Sequence, residues 1–112
     1  MNIKDITVGI VTFKSEKVIF KCLKSLKNIK KIIIVDNSND LILKEKIKKV
    51  YPHINFILSK DNNGYGCGNN KIFKLAKTSH VLVLNPDTIL SKNCIKELIH
   101  QANLTKNKFA IL

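Results

Sequence analysis

The sequence predicts an α/β protein with a Rossmann-like, mostly parallel sheet and helices on both faces. Three observations carry that prediction. Strand-like apolar runs alternate with helix-periodic segments along all 112 residues, and such alternation implies parallel strands joined by right-handed crossovers. The run Ile32-Ile33-Ile34-Val35 is apolar at every position, as expected of a strand covered on both faces. Asp, Asn, Gly and Pro gather after the strand-like runs, at the carboxyl-end edge where such sheets bind ligands.

Residues Ile6–Thr12 are rich in β-branched side chains and read as a buried strand. Over residues 15–28, Ile19, Cys22, Leu23 and Leu26 recur at helical spacing while Lys17, Lys21, Lys24 and Lys27 face away, which makes an amphipathic helix with a solvated lysine face. Residues 31–35 form the second strand. The cluster Asp36-Asn37-Ser38-Asn39-Asp40 turns the chain into a helix over Leu41–Val50, with Leu43, Ile47 and Val50 inward. Pro52 disfavours helix at Tyr51 and ends it. A third strand spans 54–58, and a Gly/Asn loop over 62–70 opens into a helix ending near Lys77. His80–Leu84 is a fourth strand, Asn85-Pro86-Asp87 a turn, and Ser91 caps a helix with Ile95, Leu98, Ile99 and Ala102 inward. Phe109 begins a fifth strand. No repeat, linker or boundary divides the chain, so residues 1–112 form one domain.

A hydrophobic fraction of 45% and a charged fraction of 25% exclude wholesale disorder and a fibrous repeat. No apolar run approaches the ~20 residues of a membrane span, and Met1 to Asp5 do not form a signal peptide, so a cytoplasmic protein is expected. The net charge is +12, yet all 20 basic residues are lysine. Lys, Ile and Asn share AT-rich codons, so coding bias explains much of the basicity. Arginine, the bidentate reader of guanine and phosphate, is absent, and aromatic interleaving is lacking. A basic nucleic-acid-binding module without enzymatic activity is therefore the alternative rather than the expectation. Anionic ligands or lipid headgroups remain suitable partners for the charge. Cys22, Cys67 and Cys94 form no C-x-x-C pair and His53, His80 and His100 no metal spacing, which excludes a disulfide framework and a zinc knuckle.

Four segments at the predicted strand ends hold residues able to do chemistry. Asp36 ends a strongly apolar strand: it either accepts a hydrogen bond from a base or ribose or caps the following turn. Asn62-Asn63-Gly64-Tyr65-Gly66-Cys67-Gly68-Asn69-Asn70 holds three of the four glycines. As a loop it brings backbone N–H groups close to a phosphate or sugar, or is a plain flexible turn. Its G-x-G-x-G spacing after the third strand is not a dinucleotide fingerprint. Asp87 leaves the end of the fourth strand. One carboxylate together with substrate diphosphate oxygens and water is how Mg²⁺ or Mn²⁺ is usually held.

Val11-Thr12-Phe13-Lys14-Ser15, Val35-Asp36-Asn37-Ser38, the Gly/Asn segment and Leu84-Asn85-Pro86-Asp87, in that order, resemble the nucleotide-sugar half of an inverting family 2 glycosyltransferase, especially the rhamnosyltransferase-like branch. The resemblance implies a GT-A type fold, here its N-terminal part. It implies that Thr12 and Phe13 line the base pocket, that Asp36 binds the base, and that Asn63, Gly64 and Asn70 border the nucleotide sugar. Asn85 and Asp87 match the D-x-D motif, with Asp87 the ligand of Mg²⁺ or Mn²⁺ and Asn85 replacing the first Asp. Glu16 matches an acidic position common after the first strand. The implied partners are a UDP- or dTDP-linked sugar donor and a glycan or lipid-linked acceptor, with no nucleic acid and with peripheral contact at the inner membrane face. The acceptor half and its general base are expected beyond Leu112, so these 112 residues alone are expected to transfer no sugar.

Overall fold

The computed structural model describes residues 3–60, 64–91, 93–105 and 109–111, with Tyr65, 102–105 and 109–111 as backbone only. A short 3₁₀ turn at Ile3–Asp5 leads into β1 (Ile6–Thr12), followed by α1 (Glu16–Lys24), β2 (Ile32–Asp36), α2 (Leu41–Val50), β3 (Asn55–Leu58), α3 (Gly64–Leu75), β4 (His80–Leu84), α4 (Cys94–Thr105) and β5 (Phe109–Ile111). The strands pair in the order β3-β2-β1-β4-β5, and every neighbouring pair is parallel. The α/β class and the parallel sheet are as the alternation predicts.

Side chains of a strand alternate between faces, and β1 uses both. Val8 and Ile10 join Ile34, Phe56, Leu82 and Leu84 under α1, α2 and α4, which contribute Ile19, Leu23, Leu43, Ile47 and Ile95. Val11 points the other way, into a smaller cluster with Ile33, Val35 and Ile72 of α3. This double cover buries every residue of β1 and β2. At roughly 1.5–3 kcal/mol per buried aliphatic side chain, the three-helix face supplies most of the hydrophobic stabilisation.

The opposite face depends on close approach. A Cβ on Gly9 would stand 2.5 Å from Ile72 Cγ2, and one on Gly68 would stand 2.7 Å from Val11 Cγ2. Both distances are too short for a side chain, so α3 lies on β1 only because glycine occupies both places. Here the structure corrects the expected loop: the Gly/Asn segment is helical from Gly64 onward. At least one of its glycines serves helix–strand packing.

Other departures are local. α1 ends at Lys24, and the chain continues through shorter-range bonds, Leu26 N–H to Leu23 O at 3.0 Å and Ile29 N–H to Leu26 O at 2.8 Å, which aim Leu26 and Ile29 into the core. Val50, expected inward, is 62% exposed, because the next residue, Tyr51, packs against the core at that turn. Ser91 meets α4 through its carbonyl, which accepts from Cys94 N–H at 3.1 Å; the side chain of Ala102 lies outside the described residues. The connections through α1, α2 and α3 share one hand. α4 lies beside α1, where Ile95 and Ile99 line a groove with Leu26 and Ile29, although the chain there crosses the sheet in the opposite direction. This last crossover therefore departs from the hand expected of all of them. Among the described residues no helix is long and apolar enough to cross a membrane.

Candidate functional site

The register pairs Thr12 with Asp36, so the polar last residues of two apolar strands stand side by side at the carboxyl edge of the sheet. Both are 0% exposed. Burying a carboxylate is costly unless donors surround it, and here they do. Asp36 Oδ1 accepts from Thr12 Oγ1 at 2.8 Å, Ser38 Oγ at 2.7 Å and Ser38 N–H at 3.3 Å, while Oδ2 accepts from Asp40 N–H at 2.8 Å. Asp40 then caps α2, accepting from Leu43 N–H at 3.0 Å. The turn-capping geometry weighed for Asp36 is thus fully formed. It explains why a lone carboxylate closes the run Ile32–Val35.

The segment after β1 is held against this turn. Lys14 has φ 51°, a left-handed conformation that costs a non-glycine residue of order 1 kcal/mol, and its N–H donates to Ser38 Oγ at 3.2 Å. Phe13 is left 49% exposed, with the Lys14 ammonium 5.4 Å from its ring centroid. An exposed aromatic face beside a fixed polar edge is a platform for stacking. Glu16 opens α1 and pairs with Lys46 of α2, which ties the two helices together.

α3 is joined to the same edge. Asn37 N–H donates to Thr12 O at 2.8 Å, and Asn37 Nδ2 donates to Gly64 O at 3.2 Å. At the end of β3, Ser59 N–H donates to Asp36 O at 2.9 Å, and Lys71 Nζ of α3 reaches Ser59 Oγ at 3.2 Å. Asn70 stands exposed on α3. Asn63 lies outside the described residues.

On the other side of β1, the turn after β4 is open. Asn85 O accepts from Thr88 N–H at 3.0 Å, and Asp87 is exposed with no hydrogen bond among the described residues. Asp87 stands near enough to α1 for its charge to act on Cys22. Burial first, and this carboxylate second, push the Cys22 thiol up to about 11. Among the described residues no three His, Cys, Asp or Glu side chains gather as a metal cage. A single exposed carboxylate suits a hard cation whose other ligands are substrate oxygens and water, and does not suit an ion caged by protein.

The edge therefore unites Thr12, Asp36 and Gly64 through hydrogen bonds, with Phe13 beside them and Asp87 across β1. Glu16 and Asn70 are exposed and join no part of that network. Sequence reasoning singled out neither Ser59 nor Lys71. Ser59 follows a strand and was legible in principle, whereas Lys71 is one lysine among 20.

A parallel sheet with β1 at its centre and a polar carboxyl edge over β1, β2 and β4 is the architecture of a GT-A type glycosyltransferase. The superposition on the crystal structure of S. aureus TarS 1–349 agrees, with a TM-score of 0.72 over 89% of this chain and 32% of that one, at 22% identity. Residues 7–112 match the model of glycosyl transferase family 2, and the chain belongs to that family. It is 34% identical over 104 residues to the low-salt glycan biosynthesis hexosyltransferase Agl10 of Haloferax volcanii, a match covering 88% of this chain and 33% of that protein. It is 30% identical over 88 residues to the SPbeta prophage-derived glycosyltransferase SunS of Bacillus subtilis, covering 78% of this chain and 21% of that protein. The chain thus matches a third or less of the length of these relatives.

Proposed function

We propose that this chain is the donor-binding part of an inverting, metal-assisted glycosyltransferase of the rhamnosyltransferase-like branch, taking a UDP- or dTDP-linked sugar. The observation that carries the proposal is the arrangement of the carboxyl edge. A hydrogen-bonded end over β1 and β2 stands across β1 from the carboxylate of Asp87, exposed in the turn after β4 and without a hydrogen bond among the described residues. On this reading the base stacks at Phe13 against the backbone that Thr12 and Asp36 hold in place. Asp36 is wholly buried, so on this reading it serves the base by holding the turn at Ser38 and Asp40 in place. Asn63, Gly64 and Asn70 border the sugar, and Asn85 and Asp87 face the diphosphate.

Asp87 would hold Mg²⁺ or Mn²⁺ together with diphosphate oxygens, and the ion would neutralise charge on the leaving diphosphate. The bond from the anomeric carbon to that diphosphate breaks as an acceptor hydroxyl oxygen bonds from the opposite side, which inverts the configuration. The acceptor, a glycan or lipid-linked glycan, and the general base that takes its proton belong to an acceptor half outside these 112 residues. Positioning of two substrates and the base contributes much of such a rate enhancement, so this chain alone transfers no sugar. The exposed lysines of α1, Lys17, Lys21 and Lys24, suit peripheral contact with an anionic membrane surface, which flotation with anionic and neutral liposomes tests.

The central test is titration of the chain with UDP- and dTDP-sugars, with and without Mn²⁺, followed by amide NMR. Shifts at Phe13, Asn37, Gly64 and Asp87 are expected. No shifts at millimolar ligand reject the proposal.

A further inference from the structure

The end of α1, the turn after it and the first two turns of α4 wall a groove of about 330 Å³. Its apolar lining is wholly aliphatic: Leu26 and Ile29 on the α1 side, Leu90, Ile95 and Ile99 on the α4 side, and Ile3, 37% exposed. Its charged lining is all of one sign. Lys24 and Lys27 stand on the α1 side and Lys96 on the α4 side, and among the described residues no Asp or Glu lines the groove. All three lysines are exposed, and none has a hydrogen bond or ion pair among the described residues. The acid of α1, Glu16, is taken up at the other end of that helix by Lys46 of α2. Like charges around an apolar surface repel one another and attract an anion. A ligand with an anionic head and a hydrocarbon tail meets both halves of this lining. A nucleotide does not, because no aromatic ring lines the groove for a base to stack on. An extended peptide finds no strand edge there, since helix and turn form both walls.

We infer that this groove seats an acyl chain of an anionic phospholipid, with the headgroup phosphate met by Lys24 and Lys27 from one side and by Lys96 from the other. The inference rests on the peripheral membrane contact proposed above, to which it gives a ligand and a place on the fold, and is independent of donor binding. Burial of the chain against the aliphatic lining supplies the apolar gain. The ammonium groups supply attraction to anionic lipid, which acts only close to the surface. Charge alone would spread the contact over all 20 lysines, and hydrocarbon alone would not distinguish anionic from neutral lipid.

Flotation with vesicles of phosphatidylcholine, alone or with equal parts phosphatidylglycerol, tests this on two triple variants of equal charge. One is Lys24→Gln/Lys27→Gln/Lys96→Gln in the groove, and the other is Lys48→Gln/Lys49→Gln/Lys74→Gln on α2 and α3. All six side chains are exposed; thermal unfolding checks that both variants fold, and Lys96→Gln alone serves if the groove set does not. Wild-type protein is expected to float with the mixed vesicles and not with phosphatidylcholine alone. The groove set should weaken that binding about tenfold or more, and the control set about threefold or less. In amide NMR, dihexanoyl-phosphatidylglycerol below its micelle concentration should shift Ser25, Asn28 and Ile95, and glycerol phosphate, the headgroup without chains, should not. Equal losses in the two triple variants would make the contact a property of total charge and overturn the inference while leaving peripheral contact in place. The same shifts from glycerol phosphate would mean a free-phosphate site and would also overturn it. So would shifts with polyglutamate but not with lipid, which would mean an acidic protein partner, or shifts that grow with protein concentration without lipid, which would mean a second copy. Flotation with neither vesicle would remove the membrane contact and this inference together.

Discussion

Asp36 and Asp87 stand at the ends of β2 and β4, the two strands that flank β1. In sequence they look alike, each a carboxylate following an apolar run. In the fold they are opposites. Asp36 is wholly buried and accepts hydrogen bonds from Thr12, Ser38 and Asp40, while Asp87 is exposed and accepts none among the described residues. Desolvation of the first is offset by those donors, which makes it part of the scaffold. The second keeps its hydration and its full capacity to meet a cation or ligand. One half of the edge is built, and the other is left open.

The sharpest way to break this comparison is to remove the buried member. Asp36→Ala strips acceptors from the Thr12 hydroxyl, Ser38 and the Asp40 N–H, and is expected to cost about 3–4 kcal/mol in urea unfolding. Asp36→Asn should fall between this variant and wild type. A loss below about 1 kcal/mol would show that the network does not carry the edge. Asp87→Asn should do the reverse. Its stability should stay within about 0.5 kcal/mol of wild type, while the Mn²⁺-dependent part of UDP binding disappears. That loss is on the order of 1.5–3 kcal/mol, or roughly 10–150-fold, and equal Mn²⁺ dependence in variant and wild type would remove Asp87 as the metal ligand.

Between the two carboxylates lies the seat of α3 on β1, and its glycines permit an internal control. Gly68→Ala overpacks against Val11 and is expected to cost about 1–3 kcal/mol. Gly66→Ala meets nothing within 4 Å and should stabilise the helix by up to about 1 kcal/mol. The same sign for both substitutions, read by thermal unfolding, would discard the close-approach explanation.

An effect absent at neutral pH joins Asp87 to the core through Cys22. Its thiol is raised from 9.0 to about 11 in the folded protein, by burial first and by Asp87 second. A raised thiol means the folded state keeps its proton where the unfolded chain has lost it. Stability is therefore complete below pH 9, falls between about 9 and 11, and levels off above. Comparing Cys22→Ala with wild type isolates this contribution from the titrating lysines: the variant should lose less stability across that interval. Parallel pH profiles of the two proteins would contradict the assignment.

Much of the candidate site was legible because its residues close strands. Thr12 and Asp36 are each the first polar residue after an apolar run, and Asp87 follows one in the turn Asn85-Pro86-Asp87, a local signal. The glycines were visible but misleading: a Gly/Asn-rich stretch reads as a loop by propensity, and its helical state requires β1 underneath.

The sequence by itself determined the alternation of elements, the apolar character of β1 and β2, and the edge on which polar residues collect, because each follows from periodicity within a few neighbouring residues. Tertiary structure alone decided that β1 lies at the centre, that α4 joins α1 on one face, that Tyr51 rather than Val50 turns inward, and that Asp36 is buried while Asp87 is open. Those outcomes depend on pairings between distant residues, such as Thr12 with Asp36 across 24 positions and Gly9 with Ile72. Burial and hydrogen-bond partners arise from what the fold brings alongside, and two aspartates with like sequence neighbours acquire different chemistry once one of them is enclosed.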